Sequence, residues 1–437
     1  MGHLSHHKAY LDLRARLDRM PAGFPDTALA YEVLRLLFSP EEAALAARLP
    51  FRPTSVSGIA RRLKGPVRRQ LERMADRGLV LDLEDRHGRM RYCLAPPVVG
   101  FVEFSLMRKR SDLDQPALAA AFERFFDQSG QGFASTLFAG ETQIGRALVH
   151  ETALQPTDVA ELLPYQRASE VVATARSWAV SLCYCRHLAD HQGRGCGAPR
   201  ENCLSLNGGA DLVARHGHGR AISRGEALEL LEQSREASLV FIADNVQRRV
   251  TYLCSCCGCC CEQLRAINRH GLAGAVKTSS FLARIDDERC HGCGRCVRRC
   301  PVQAIALTAR APTPATRKPP LRARIDEAIC LGCGICRAAC RHDALTMQQR
   351  PARVLTPEGT LERMLAMALE RDRLHDLLFD EEGDLHELVL HHLAGAALRL
   401  PPVKRLLLGE RLKSRFIGFL AARARRGGRA EKGGVDG

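Results

Sequence analysis

Two stretches of this chain repeat one another at an offset of 40 residues: ARIDDERCHGCGRCVRRCPVQAIAL (283–307) and ARIDEAICLGCGICRAACRHDALTM (323–347). Each holds four cysteines in the pattern C-x2-C-x2-C-x3-C. The first run is Cys290, Cys293, Cys296 and Cys300, closed by Pro301. The second is Cys330, Cys333, Cys336 and Cys340, with Arg341 in place of the proline. Soft thiolates on such short loops can wrap the corners of a metal centre. Gly292, Gly294, Gly332 and Gly334 let the backbone turn and aim N–H groups at it, which favours negative charge. A pair of zinc sites fits the pattern less well, because zinc motifs usually present separated cysteine pairs.

The chain has 437 residues and 19 cysteines, of which only Cys93 lies outside 183–340. Cys93 falls in an apparent strand and reads as a small buried hydrophobe. Nothing reaches the roughly 18 consecutive apolar residues of a membrane span. The start, MGHLSHHKAYLDLRARL, has no secretory pattern. We therefore expect a cytoplasmic protein, where clustered thiols bind metal more often than they form disulfides. A net charge of +15 points to nucleic acid, anionic lipid or acidic partners. Iron–sulfur clusters with four thiolates would add negative charge, so part of the arginine excess can serve to balance them.

The eight-cysteine segment resembles the bacterial ferredoxins that carry two [4Fe–4S] clusters, over about 65 residues. In that family the fourth cysteine of each run serves the other cluster. The resemblance thus implies Cys290, Cys293, Cys296 and Cys340 around one cluster, and Cys300, Cys330, Cys333 and Cys336 around the second. It also implies electron relay, since every iron is protein-bound and no substrate position is left open. Arg295, Arg298, Arg299 and Arg337 would tend to raise the potentials by stabilising added negative charge.

Ten further cysteines are less standard. Cys183, Cys185, Cys196 and Cys203 lie close enough in sequence to hold one iron–sulfur or zinc centre, with His187, His191, His216 and His218 as alternative ligands. The octet CSCCGCCC (254–261) contains Cys254, Cys256, Cys257, Cys259, Cys260 and Cys261. Cys254, Cys257 and Cys260 repeat the C-x2-C-x2-C triplet, and Cys256 and Cys259 interleave with it. Three arrangements are open: one four-cysteine cluster with spare thiols, a pair of clusters that also draws on 183–203, or a larger assembly. Thiol–disulfide chemistry is the non-metal alternative. The stretch 183–300 is similar to cysteine-rich segments of uncharacterised multi-cluster ferredoxin-type proteins, which also carry a winged-helix-like region. That similarity implies further clusters and no particular reaction.

The expected fold is α+β. Residues 1–110 form a winged-helix-like domain and 111–182 a helical connector. A cysteine-rich region spans 183–275, a ferredoxin-like domain 276–350, and a helical basic tail 351–437. The winged-helix resemblance rests on order alone: Thr54 caps a helix to Arg62, Pro66 opens a second to Gly78, and strands follow at 79–83 and 90–94. In such domains the second helix reads DNA. Here it would present Arg68, Arg69, Arg73 and Arg77, with Arg86, Arg89 and Arg91 around the wing. A helix over 168–182 is expected to run into Cys183. A capping box at Ser223 and Glu226 opens another helix. Strands at 238–244 and 249–253 place the octet at the end of a hairpin, with a helix from Glu262. The Pro-rich linker RAPTPATRKPPL is expected to be extended. The basic C-terminal helix packs on the body or touches a membrane surface.

The leading reading is an iron–sulfur electron-transfer protein with a redox partner protein. The first alternative is a redox-responsive regulator that binds DNA through the N-terminal domain. The second is a reductase with catalysis at the octet. No Gly-rich nucleotide fingerprint follows a strand and opens a helix.

Overall fold

The computed structural model describes residues 2–85, 87–128, 132–309, 321–352 and 354–380, with parts of 393–430. The linker 310–320 and Arg86 lie outside the described residues.

The N-terminal region is built on capped helices. Thr27 caps Ala28–Leu37, and Ser39 and Glu42 form a reciprocal box at the start of Pro40–Ala46. Helix Val56–Leu63 is capped by Ser55 rather than Thr54. Thr54 is engaged elsewhere: its backbone exchanges hydrogen bonds of 2.9 and 2.8 Å with Tyr92. Helix Arg68–Asp76 follows, then strands β1 (Val80–Glu84) and β2 (Met90–Leu94), paired antiparallel. Cys93 is buried in this hairpin, and burial pushes its thiol up to about 12.

Arg68, Arg69 and Arg73 are exposed on their helix. Arg77 turns inward to Glu42 at 2.6 Å and the Leu37 carbonyl at 2.7 Å. Arg89 and Arg91 both reach Asp85, at 3.2 Å. The hairpin leans on the next region: Asp82 is held by Arg215 and His216, at 2.9 and 2.8 Å.

A six-stranded sheet forms the middle of the molecule. Its strands are β3 (Gly145–Ala147), β4 (Trp178–Leu182), β5 (Glu201–Leu206), β6 (Arg220–Ile222), β7 (Val240–Asp244) and β8 (Tyr252–Cys256). The order is β3-β7-β8-β5-β4-β6, and every pairing is antiparallel. The helical expectation for 168–182 is corrected here. Helix Ala168–Ala173 ends early, and Trp178–Leu182 is an interior strand between β5 and β6. Partners on both sides override the helix propensity of its alanine. Segment 111–182 therefore supplies two strands of the sheet as well as helices such as Gln115–Asp127. The octet also sits differently from expectation, because β8 starts at Tyr252 and carries Cys254, Ser255 and Cys256 within the sheet. Ser223 caps Arg224–Glu236, but Glu226 bonds to Arg220 instead of closing a box.

Alternation along β8 separates two faces. Leu253 packs with Phe241, Val180 and Leu204 on one side. Cys254 and Cys256 face the other, larger core, which also contains Val240, Ile242 and Leu264. That core continues from the N-terminal helices into the last sheets. There β9 (Phe281–Ile285) pairs with β12 (Leu345–Gln349), and β10 (Ile305–Ala309) pairs with β11 (Leu321–Ile325). Short helices Arg295–Arg299 and Ile335–Ala339 follow the two ligand loops. At the C-terminus, Ile417 and Ala421 of helix Glu410–Ala430 pack on Leu365 and Leu369. Among the described residues no helix is long and apolar enough to cross a membrane.

Candidate metal centres

The crossed pairing of β9 with β12 and β10 with β11 brings the end of each repeat beside the start of the other. Cys290, Cys293, Cys296 and Cys340 line one cavity of about 370 Å³, open mouth included, with His291 and His342 at its wall. Cys300, Cys330, Cys333 and Cys336 line another, of about 330 Å³, together with Pro301. Gly332 has φ 69°, and a Cβ there would collide with the Phe281 carbonyl oxygen, so the loop can close only with glycine.

The donor chemistry fits a cationic centre in both cavities. Burial pushes the Cys296 and Cys300 thiols up, and Cys333 up to about 12. Burial and then neighbouring Cys333 and Cys330 do the same to Cys336. Thiols crowded in this way give up their protons when a metal supplies compensating charge. The first cavity is the more open of the two, since Cys293 is exposed while Cys330, Cys333 and Cys336 are buried.

The ten remaining thiols sort differently from their order in the sequence. Cys196 stands with Cys257, Cys259 and Cys260, all four Sγ atoms within 4.8 Å of one another. The other six form a second series. Cys183 precedes helix Tyr184–His191, which carries buried Cys185. Cys203 lies on β5; continuing the pairing of Leu204 with Leu253 sets it opposite Cys254. Cys261 precedes helix Glu262–His270. Their thiols interact in the order Cys203, Cys254, Cys256, Cys261, Cys185, Cys183. Cys254 is lowered chiefly by Cys203, and Cys261 falls to about 6 chiefly through Cys185.

Arg186, fully buried, sits between the two groups. It donates to the Ser255 carbonyl at 2.8 Å, Asn202 Oδ1 at 2.7 Å and the Pro199 carbonyl at 3.0 Å. Burial alone would weaken its charge, but Cys183, Cys257 and Cys256 outweigh that and raise its pKa. The four histidines are occupied or apart. His187 contacts the Leu106 carbonyl and His216 contacts Asp76 and Asp82, while His218 stacks on Phe104. His191 lies against His187, its ring tilted by 39° at 4.6 Å.

A buried ionic network fixes the loop that carries Cys196. Arg265 binds Glu262 and Asp127 at 2.7 Å and Glu123 at 3.0 Å. Arg194 joins the same Glu123 at 2.9 Å. Neither Arg186 nor this network stands out from sequence, where each residue is one arginine among many. The octet meets the last domain at Gly258. A Cβ there would strike the Pro301 carbonyl oxygen, and Asn268 Nδ2 donates to the Gly258 and Pro301 carbonyls at 3.1 and 3.0 Å. The His150 N–H also donates to the Cys333 carbonyl at 2.9 Å.

Residues 289–344, which include all eight cysteines of the repeat, match the family model of a 4Fe-4S dicluster domain. The chain therefore carries an iron–sulfur module of the ferredoxin type. It is also 54% identical over 35 residues to one component of an ion-translocating oxidoreductase complex from Methanosarcina acetivorans. That match covers 8% of this chain and 13% of the relative. No solved structure matches the chain.

Proposed function

We propose that this chain is an electron-transfer protein whose ferredoxin-type lobe exchanges electrons with a partner and with an iron–sulfur centre in the six-stranded domain. Cys290, Cys293, Cys296 and Cys340 would hold one [4Fe–4S] cluster, and Cys300, Cys330, Cys333 and Cys336 the other. Such clusters supply one-electron storage and transfer when bound. The observation that carries the reading is the junction at Gly258 and Pro301, which seats the octet directly against the loop of Cys300.

The chain's own residues support a direction through the molecule. Cys293 and neighbouring His291, Arg298 and Arg299 are exposed, and offer a basic rim to an acidic redox partner. Cys336 interacts with Cys296, which joins the two cavities. The second cavity then abuts the octet through Pro301. Buried Cys185, Cys256 and Cys261 mark the inner end, where Arg186 offsets thiolate charge.

The regulator reading has less behind it. Arg69 and Arg73 are exposed, but Arg68 pairs with Glu72 at 3.5 Å, Arg89 and Arg91 of the wing are engaged by Asp85, and the hairpin is docked through Asp82. The test is anaerobic purification with iron and sulfide analysis and EPR. The ferredoxin-type lobe alone predicts about 8 iron atoms per chain, with more from the central domain. A preparation with little iron and mostly zinc would sink the proposal.

A further inference from the structure

The central quartet and the ferredoxin quartets differ in how tightly their sulfurs are gathered. Cys196 and Cys257 Sγ are 3.7 Å apart, and Cys259 and Cys260 Sγ are 3.6 Å apart. All four lie within 4.8 Å of one another, and among the described residues no other set of three or more metal-binding side chains is so compact. The ferredoxin-type quartets, in the same molecule, instead surround cavities of about 330 and 370 Å³.

That contrast separates two kinds of centre. One tetrahedral ion with thiolates at about 2.3 Å places its sulfurs about 3.8 Å apart. A cubane puts four irons inside the cage and holds its thiolates farther from one another. The Cys196–Cys257 and Cys259–Cys260 spacings of 3.7 and 3.6 Å match the single ion, and the 4.8 Å bound on the remaining pairs is shorter than a cubane's thiolates allow. A tetrahedral set of four soft sulfurs suits zinc or iron.

The site is built from two separate segments of the chain. Cys257, Cys259 and Cys260 come from the turn between β8 and helix Glu262–His270. Cys196 comes from the loop before β5, where Arg200 donates to the Cys196 carbonyl at 2.6 Å and to Asp190 at 2.7 Å. Arg194 holds the same loop to Glu123. Three ligands are thus set by a local turn, and the fourth is delivered by an arginine-clamped loop.

We propose that Cys196, Cys257, Cys259 and Cys260 bind one tetrahedral divalent ion, zinc or iron, as a mononuclear site distinct from the iron–sulfur clusters. The ion staples loop 192–200 onto the octet, above Arg186. It leaves Cys183, Cys185, Cys203, Cys254, Cys256 and Cys261 as the separate thiol set of the domain. The site stands or falls independently of the electron-transfer reading.

The test uses the full chain, purified anaerobically, with metal analysis, Mössbauer spectroscopy and zinc-edge X-ray absorption. Support is one zinc per chain with four sulfurs at about 2.3 Å and no metal neighbour, or one high-spin ferrous ion apart from cluster iron. In Cys196→Ser that ion is lost or loses one sulfur ligand, while the EPR signals of the ferredoxin-type lobe persist. Should Cys196→Ser not fold, Cys259→Ser, which alters an exposed thiol, gives the same reading. Metal–metal scattering from the zinc site, absence of any mononuclear ion, or an ion unaffected by either variant overturns the proposal. If instead the lobe's EPR signals are missing in the wild type, the electron-transfer reading fails and this one does not.

Discussion

Gly258 lies so close to Pro301 that no side chain fits between the two backbones, and Asn268 ties both carbonyls together. This contact joins the octet to the ferredoxin-type lobe at the loop of Cys300. A methyl group at Gly258 must push the Pro301 carbonyl away, and overpacking of this kind costs about 1–3 kcal/mol. Gly258→Ala is therefore expected to lower the urea midpoint. It should also slow electron exchange between the lobe and the central domain in freeze-quench EPR, with the lobe's own signals intact. Unchanged exchange in a folded variant would show that electrons do not use this junction.

The crossed cavities predict which cysteines behave alike. Cys290→Ala and Cys340→Ala should remove the same centre, each lowering iron by up to about 4 atoms per chain. Cys300→Ala and Cys333→Ala should both remove the other one. The double change of Cys290 and Cys340 should then look like either single change in EPR. If Cys340→Ala gave the spectrum of Cys330→Ala instead, the crossed assignment would be wrong.

The Arg186 guanidinium senses thiols of both central groups. Arg186→Gln keeps some hydrogen bonding but removes the charge, so retention of the iron proposed for the central domain should fall. A drop of about 10- to 100-fold in affinity is typical when support around a metal site is lost. Chelator-challenge kinetics, followed by EPR, would check this. Equal loss from the ferredoxin-type lobe would indicate a general folding defect rather than this role.

His216 gives the hairpin contact a pH dependence. Burial alone would lower its pKa, but Asp82 and Asp76, each 2.8 Å away, raise it above the ordinary 6.5. Arg215 shares Asp82, and His218 and Arg108 also lie near. A histidine whose folded pKa is raised contributes stability that is complete below its unfolded pKa. That stability is lost as pH rises through the folded value. The urea midpoint should accordingly fall as pH rises above the ordinary histidine range, and His216→Gln should flatten the slope. A wild-type midpoint that rises over this range would contradict the assignment.

What could be read from the sequence was what is local. The loops of 290–300 and 330–340 announce their chemistry because three ligands fall within a few residues of one another. The hairpin of β1 and β2, the Ser39–Glu42 box and the start of helix Glu262–His270 are likewise written in short-range signals. Trp178–Leu182 was not legible as a strand, because its partners on β5 and β6 lie far along the chain. The same limit hid the sorting of the ten central thiols. Cys196 is seven residues from Cys203 in sequence, yet its sulfur stands with Cys257, Cys259 and Cys260. Adjacent thiols such as Cys256 and Cys257 go to different groups because β8 ends between them.

The position of β8 inside the sheet bears on how the protein would age under oxygen. Cys254 and Cys256 ride on a strand bonded to β7, with β5 on its other side. Cys256 is covered by the large core packed on that face, so reaching it from solvent requires opening the core, an event far rarer than the fraying of a loop. Cys293, by contrast, already meets solvent at the outer cavity. Damage would begin at that outer corner and at Cys259, the exposed thiol of the octet, so a partly oxidised molecule would lose those two thiols first and its buried ones last.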